Sequence, residues 1–470
     1  MEIKICVFVG SPDPIRHRCT RSVPLKAGGQ ALREVNMIKQ KILIIIFCFL
    51  FSLFSFKALF AQTEIYMKMP VGGAEPLDIA VTDFSPKKKG FSAEEKKISY
   101  QVPQIIREDL DFSLLFYVAE IDSFTKEVVG DNPLNLEGWY KLGVQMVLAG
   151  ELELRGEEIL AEVFLYEVIK GKKVYSKSYK TSSDNYRGLA HTISDDLVLE
   201  LTGEKGIFNT RIAFVSTRSG NKEIYISDYD GFNIKKVTED KSINLSPRWS
   251  PNGKKLIYTS YKKGNPDLWI RDLQINTNSV LSSQAGLNSA PAWSPDGKNI
   301  GLTLSKDGNP EIYLIEQSGK IIRRLTNSSA IESSPSFSPN GKEIVFTSDR
   351  TGSPQVYIMD IQGSNIRRLT YDLDYCDSPA WSPKGDKVAF VVRTSSGFDI
   401  YTIDVTGENL RRLTYGGNNE NPSWSPDGYH LVFSSNRTGK YEVYIMNWDS
   451  SDQKAITSGG GNYNPSWSFR

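Results

Sequence analysis

The feature that most constrains this chain is a repeat. An aromatic-Ser step recurs at Trp249, Trp293, Phe337, Trp381, Trp424 and Trp467, at intervals of 44, 44, 44, 43 and 43 residues, and the first five copies continue as Pro-x-Gly. Proline presets the first turn angle and Gly accepts a positive φ, so each copy predicts a tight hairpin. An alternating run follows, such as Leu256-x-Tyr258, Ile344-x-Phe346 or Leu431-x-Phe433, whose period of two marks a half-buried strand. A third strand is centred on Tyr225, Trp269, Tyr313, Tyr357, Tyr401 and Tyr444, and a fourth ends in pairs such as Leu325-Thr326, Leu369-Thr370 and Leu413-Thr414. Four short strands per repeat predict the blades of a β-propeller rather than a helical solenoid.

The ends of the repeat array set the blade count. The first repeat begins at Arg211 with its second strand, whereas the last stops just after a first strand at Pro465-Ser466-Trp467. The spare strand is expected to complete the first blade, giving six closed blades over 206–470 and no open sheet edge. No hydrolase domain is expected beyond the closing strand.

Upstream, residues 62–205 read as a small α/β domain. Strands are expected at Leu77–Phe84, Leu114–Ala119, 144–154, 158–169 and 173–180, and helices at Ile98–Phe112, Trp139–Leu142 and 185–202, the last capped by Gly203. Before this domain, 42–56 is an apolar run preceded by Lys39 and Lys41 and followed by Ala58-Leu59-Phe60-Ala61. That order predicts a signal peptide over 37–61, with Met37 as the start and 1–36 as an upstream extension. No lipobox precedes Cys48.

The 56 basic and 55 acidic residues give a net charge of +1, which lacks the broad positive field of a nucleic-acid binder. Past residue 61 only Cys376 remains, so no intramolecular disulfide can form there, and Cys376 reads as a buried small hydrophobe. Catalytic chemistry has little to work with: His191 and His430 are the only histidines in that stretch, and no Gly-x-Ser-x-Gly elbow occurs. Both histidines are expected to be structural or solvent-exposed. Asp228, Asp272, Glu316, Asp360 and Asp404 follow the third strands and read as turn caps, so neither a metal nor a cofactor is expected. The pairs Lys235-Lys236, Arg323-Arg324, Arg367-Arg368 and Arg411-Arg412 read as edge charges that discourage sheet-to-sheet pairing.

One stretch is more specific than the repeat. Residues 191–215, from His191-Thr-Ile-Ser-Asp-Asp to Arg-Ile-Ala-Phe-Val215, with Ile226-Ser-Asp-Tyr-Asp-Gly-Phe-Asn233, resemble the domain junction and first blade of the TolB family, periplasmic components of Tol-Pal systems. The resemblance covers about 62–470. It implies a non-enzymatic, monomeric periplasmic adaptor that binds the lipoprotein Pal through its propeller and TolA through its mature N-terminal segment, Gln62–Ala74, in support of outer-membrane integrity and constriction at division. It also implies no nucleic-acid partner and no membrane span after signal cleavage. A propeller that binds a saccharide or small ligand in its channel, and a peptidase-associated propeller, are the rival readings that the repeat alone leaves open.

Chain direction suggests where a partner docks. The small domain enters at the start of a second strand, so it should crowd one face and leave free the face built from Gln284–Ala290, Ser328–Ser334, Tyr371–Ser378, Tyr415–Asn421 and Asp349–Pro354. Leu287, Asn288, Ser333, Asp374, Tyr375 and Asn419 are the candidate partner-binding residues on that face. N-terminal sequencing of the exported protein is expected to give Gln62 as the first residue; any start upstream of Met37 would refute the signal assignment.

Overall fold

A computed structural model describes residues 76–87 and 92–469. The signal peptide, the upstream extension and the segment Gln62–Ala74 lie outside these residues. Among the described residues, no helix is long and apolar enough to cross a membrane.

The α/β domain is built on a mixed sheet of β1 (Leu77–Val81), β2 (Ser85–Pro86), β3 (Phe116–Val118), β4 (Met146–Arg155), β5 (Glu158–Glu167) and β6 (Lys172–Ser182). Its order is β3-β1-β4-β5-β6, with β1 parallel to both neighbours, β4 to β6 antiparallel, and β2 paired to β4. Among the described residues, four α-helices accompany it: α1 (Ala93–Phe112), α2 (Ser123–Val129), α3 (Leu136–Lys141) and α4 (Tyr186–Thr202). Side chains such as Val102, Ile106, Leu110, Ile193 and Leu197 pack with Ile79, Leu148 and Leu152 of the sheet.

Helix α1 starts five residues before the apolar periodicity predicts. Its first turn is polar and rests on a capping box, in which Glu95 N donates to Ser92 Oγ (3.1 Å) and Ser92 N donates to Glu95 Oε2 (2.9 Å). The other oxygen of Glu95 accepts Leu154 N at 2.8 Å, tying the helix start to the end of β4. Pro103 sits inside α1 and has no N–H for the carbonyl of Ser99; Phe84 N donates to that carbonyl instead, at 3.3 Å. Helix α2 is absent from the sequence reading, being short and mostly exposed.

The propeller has six four-stranded blades. Blades 2 to 6 run Asn244–Ser282, Asn288–Arg324, Glu332–Arg368, Cys376–Arg412 and Asn419–Ala455, each ordered from the inner to the outer strand. Blade 1 takes its inner strand, Asn462–Trp467, from far along the chain and pairs it antiparallel to Arg211–Ser216, as the array ends predict. The hairpins of blades 2, 3, 4 and 6 repeat one set of bonds: in blade 2, Lys255 N donates to Ser250 Oγ (2.9 Å), Lys254 N donates to Asn252 Oδ1 (3.1 Å), and Gly253 sits at φ 64°.

Closure is fastened by indoles. Trp467 Nε1 donates to Thr210 Oγ1 at 2.8 Å, and Trp249 Nε1 donates to the Ser466 carbonyl at 3.2 Å. Removing residues 462–470 is expected to expose the edge of Arg211–Ser216 and cause aggregation with a large fall in melting temperature. Trp467→Ala alone should cost about 3–5 kcal/mol in chemical denaturation, as expected of a fully buried aromatic. Unaltered melting of the truncated chain would show that the ring is not held by this strand.

Candidate functional site

The six inner strands line a central channel with a cavity of about 460 Å³. In each strand the third residue adopts a positive φ, from 46° at Asn464 to 57° at Asn421, and the register to the second strand shifts there. This residue precedes a proline in every blade. Proline disfavours the α region for its predecessor and brings no ladder donor, so the bulge recurs at the same step.

At the channel end away from the hairpins lies a buried polar ring. In blade 6, Asn419 Nδ2 donates to Asp399 Oδ1 (2.9 Å), while its Oδ1 accepts Ser435 Oγ (2.7 Å) and Arg437 Nη2 (2.7 Å). Asn288 likewise accepts Ser282 Oγ (2.7 Å) and donates to the Gln284 carbonyl (2.8 Å). Both asparagines are fully buried, so their side chains brace blades rather than face a partner, which corrects the candidate list. The signal was present in the sequence: a polar residue stands five places before most of the repeat aromatics. Cys376 takes this place in blade 5, where burial pushes its thiol up to about 12.

The other four candidates lie at the surface. Asp374 is exposed, and Leu287, Ser333 and Tyr375 are partly so. Leu287 and Tyr375 belong to a set the sequence reading did not assemble, the residue just before each inner strand. That residue is Ile243, Leu287, Ile331 and Tyr375 in blades 2 to 5, but Asn418 and Gly461 in blades 6 and 1. The carbonyl of each accepts the N–H just past its second strand, for example Tyr261 N to Ile243 O at 2.9 Å. The set therefore rims the face that carries the second-to-third strand loops. Ile243 and Ile331, on blades 2 and 4, are 46% and 50% exposed, apolar groups left in water.

The α/β domain meets the opposite face, the one with the hairpins and the third-to-fourth strand turns. His430, on the second strand of blade 6, donates from Nε2 to the Phe112 carbonyl at 2.8 Å and stacks on the Phe112 ring at 4.2 Å. Tyr229 of blade 1 donates to Asp109 Oδ1 at 2.6 Å, and His191 Nδ1 lies 3.0 Å from Asp109 Oδ2. The other ring nitrogen of His191 faces Asp230 at 3.5 Å, and Arg187 bonds the same carboxylate. Both histidines are thus buried structural groups. Burial pulls the His191 pKa down, but the hydrogen bond and charge of Asp109 outweigh it and leave the pKa raised. His191, Asp228 and Asp230 lie close enough to share a cation, yet Arg187 already supplies a positive charge to Asp230.

The three outer arginine pairs are not the free edge charges that the sequence reading expects, whereas Lys235-Lys236 stays exposed on its edge strand. In three blades the first member reaches the neighbouring blade: Arg323 to Gln362 Oε1 (2.7 Å), Arg367 to the Val405 carbonyl (3.0 Å) and Arg411 to the Asp449 carbonyl (2.5 Å). The second turns inward, Arg324 to buried Glu311 (2.8 Å) and Arg412 to buried Asp399 (2.6 Å). A guanidinium fork spans the blade edge and satisfies a buried carboxylate, which explains arginine at these sites. The turn acids behave as expected; Asp360 Oδ1 accepts Gln362 N (2.9 Å) and Ser364 N (2.8 Å).

The family described as TolB beta propeller domain matches residues 198–378 and 373–470, and the TolB amino-terminal domain matches 67–174. The Tol-Pal system protein TolB of Geobacter sulfurreducens is 41% identical over 200 residues, covering 42% of this chain and 46% of that protein. The protein of the same name from Desulfosudis oleivorans is 35% identical over 229 residues, covering 47% and 50%. The matched stretches thus span about half the length of these relatives. The crystal structure of TolB from Acinetobacter baumannii, 29% identical, aligns with a TM-score of 0.73 over 84% of this chain and 98% of that one.

The His191 network generates a pH prediction. A folded-state pKa raised above the ordinary 6.5 contributes stability that is complete below 6.5 and lost as pH rises through the raised value. Melting temperature is therefore expected to fall as pH rises above 6.5, and His191→Gln should flatten that slope. An identical slope in the variant would show that His191 does not titrate against Asp109.

Proposed function

Because the chain belongs to the TolB family, we propose that it is a non-enzymatic periplasmic adaptor of a Tol-Pal system, exported by cleavage of 37–61. It binds Pal with the propeller face turned away from the α/β domain, and TolA through Gln62–Ala74. Docking of these partners supports outer-membrane integrity and constriction at division.

The observation that carries this reading is the division of labour between the two faces. Among the described residues, the contacts joining the α/β domain to the propeller fall on the hairpin face of blades 6 and 1, through His430, Tyr229 and Asp230. The opposite face presents Ile243, Leu287, Ile331 and Tyr375 around the channel mouth, with Asp374 beside them. An apolar centre with a polar rim is the anatomy of a protein-binding patch. The burial of His191, His430 and Cys376 in structural contacts supports a binding role over a catalytic one.

Replacing Leu287 and Ile331 together by Asp is expected to weaken binding of purified Pal at least tenfold in calorimetry, with the melting temperature unchanged. Equal Pal affinity in the folded double variant would refute the face assignment.

A further inference from the structure

The channel wall is regular at every blade but one. At the fifth position of the inner strand, Ala292, Ser336, Ala380, Ser423 and Ser466 present small side chains, whereas blade 2 presents Arg248. Among the described residues lining the channel, Arg248 carries the only formal charge. Its one hydrogen bond there runs from Nη1 to the carbonyl of the preceding Pro247, at 3.0 Å, and no carboxylate forms an ion pair with it. The inner-strand acids Asp377 and Glu420 are engaged elsewhere, by Thr347 Oγ1 (2.9 Å) and Tyr441 OH (2.7 Å). Desolvation with no opposing charge nearby lowers the guanidinium pKa to about 10.

This contrasts with three other arginines of the blades. Arg324, Arg350 and Arg412 each meet a buried carboxylate, Glu311, Glu332 and Asp399. A guanidinium partly drawn out of water without such a partner is costly, and the bond to the Pro247 carbonyl does not neutralise its charge. We propose that Arg248 is the anchor of an anion site in the channel, and that the ligand is a small monocarboxylate bearing hydroxyl groups.

Three observations select that class. The planar fork of arginine matches a carboxylate with two parallel bonds. One guanidinium balances one carboxylate, whereas a phosphate dianion would leave a negative charge unpaired in a channel with no second cation. The rest of the wall is neutral, with the hydroxyls of Ser246, Ser334 and Ser378 and the Asn421 amide set among prolines and aromatic rings. Such a wall suits hydroxyl groups, and about 460 Å³ is within the range of small-molecule pockets.

The test is calorimetric titration of the mature full chain with D-glucuronate, with glucose and inorganic phosphate as comparators. Saturable glucuronate binding is expected, with no glucose binding and weaker phosphate binding. Arg248→Ala should weaken glucuronate at least tenfold and Arg248→Lys by less, since a point charge replaces the fork. Alanine already occupies this position in two blades, so Arg248→Ala should melt at or above the wild-type temperature. Absence of saturable glucuronate binding, equal affinity in Arg248→Ala, or a lower melting temperature in that variant would each overturn the proposal. None of these readouts involves Pal, so the outcome is independent of the docking face.

Discussion

The pairing of Asn462–Trp467 with Arg211–Ser216 is the contact on which the rest of the structure depends. A blade is stable in the ring only when both its faces are covered, and that holds for all six only if the ring closes. The closing strand also reaches beyond its own sheet. Trp467 holds Thr210, the residue just before the second strand of blade 1, while Ser466 receives the indole of Trp249 in blade 2. Closure therefore fixes the linker from helix α4 and the first blade interface together, and so decides where the α/β domain lands.

That landing is made with polar contacts as well as apolar ones. Asp109 accepts from Tyr229 and His191, while Asp230 meets His191 and Arg187. Buried charge clusters of this kind contribute less net stability than their geometry suggests, because desolvation offsets most of the attraction. They do penalise misplacement, since any shift of the domain would strand a buried carboxylate or imidazole. Orientation is thus fixed more strongly than affinity.

How much of this was legible in the sequence depends on how far apart the partners lie. Blade number, strand order and closure follow from the period because every repeat meets the same environment. The buried Asn ring was equally periodic, yet Asn288 and Asn419 read as surface candidates because loop residues flank them. Acid partners about twenty residues upstream recur for Asn244, Asn419 and Asn462, as Glu223, Asp399 and Glu442, so the pairing could have been found by aligning repeats. The domain contacts could not. His191 finds Asp109 across 82 residues and His430 finds Phe112 across 318, with no repeat to expose either spacing. The start of α1 was misread for a different reason: Ser92 and Glu95 begin it with hydrogen bonds, and apolar periodicity is blind to a capping box.

Repetition builds this molecule, and departures from repetition give it direction. The apolar residues at the channel mouth belong to blades 2 to 5 and give way to Asn418 and Gly461 in blades 6 and 1. Those same two blades carry the α/β domain on the other face, through His430 and Tyr229. The two departures therefore lie at opposite ends of different blades, and a partner seated on the apolar arc would not compete with the domain for any blade face. The single arginine of the channel belongs to blade 2, at one end of that arc. A six-fold scaffold whose exposed apolar groups and domain contacts break the symmetry at different blades, and whose channel charge sits on one blade alone, can present distinct surfaces without distorting any blade. The buried Thr and Ser residues that knit each sheet are free to stay the same.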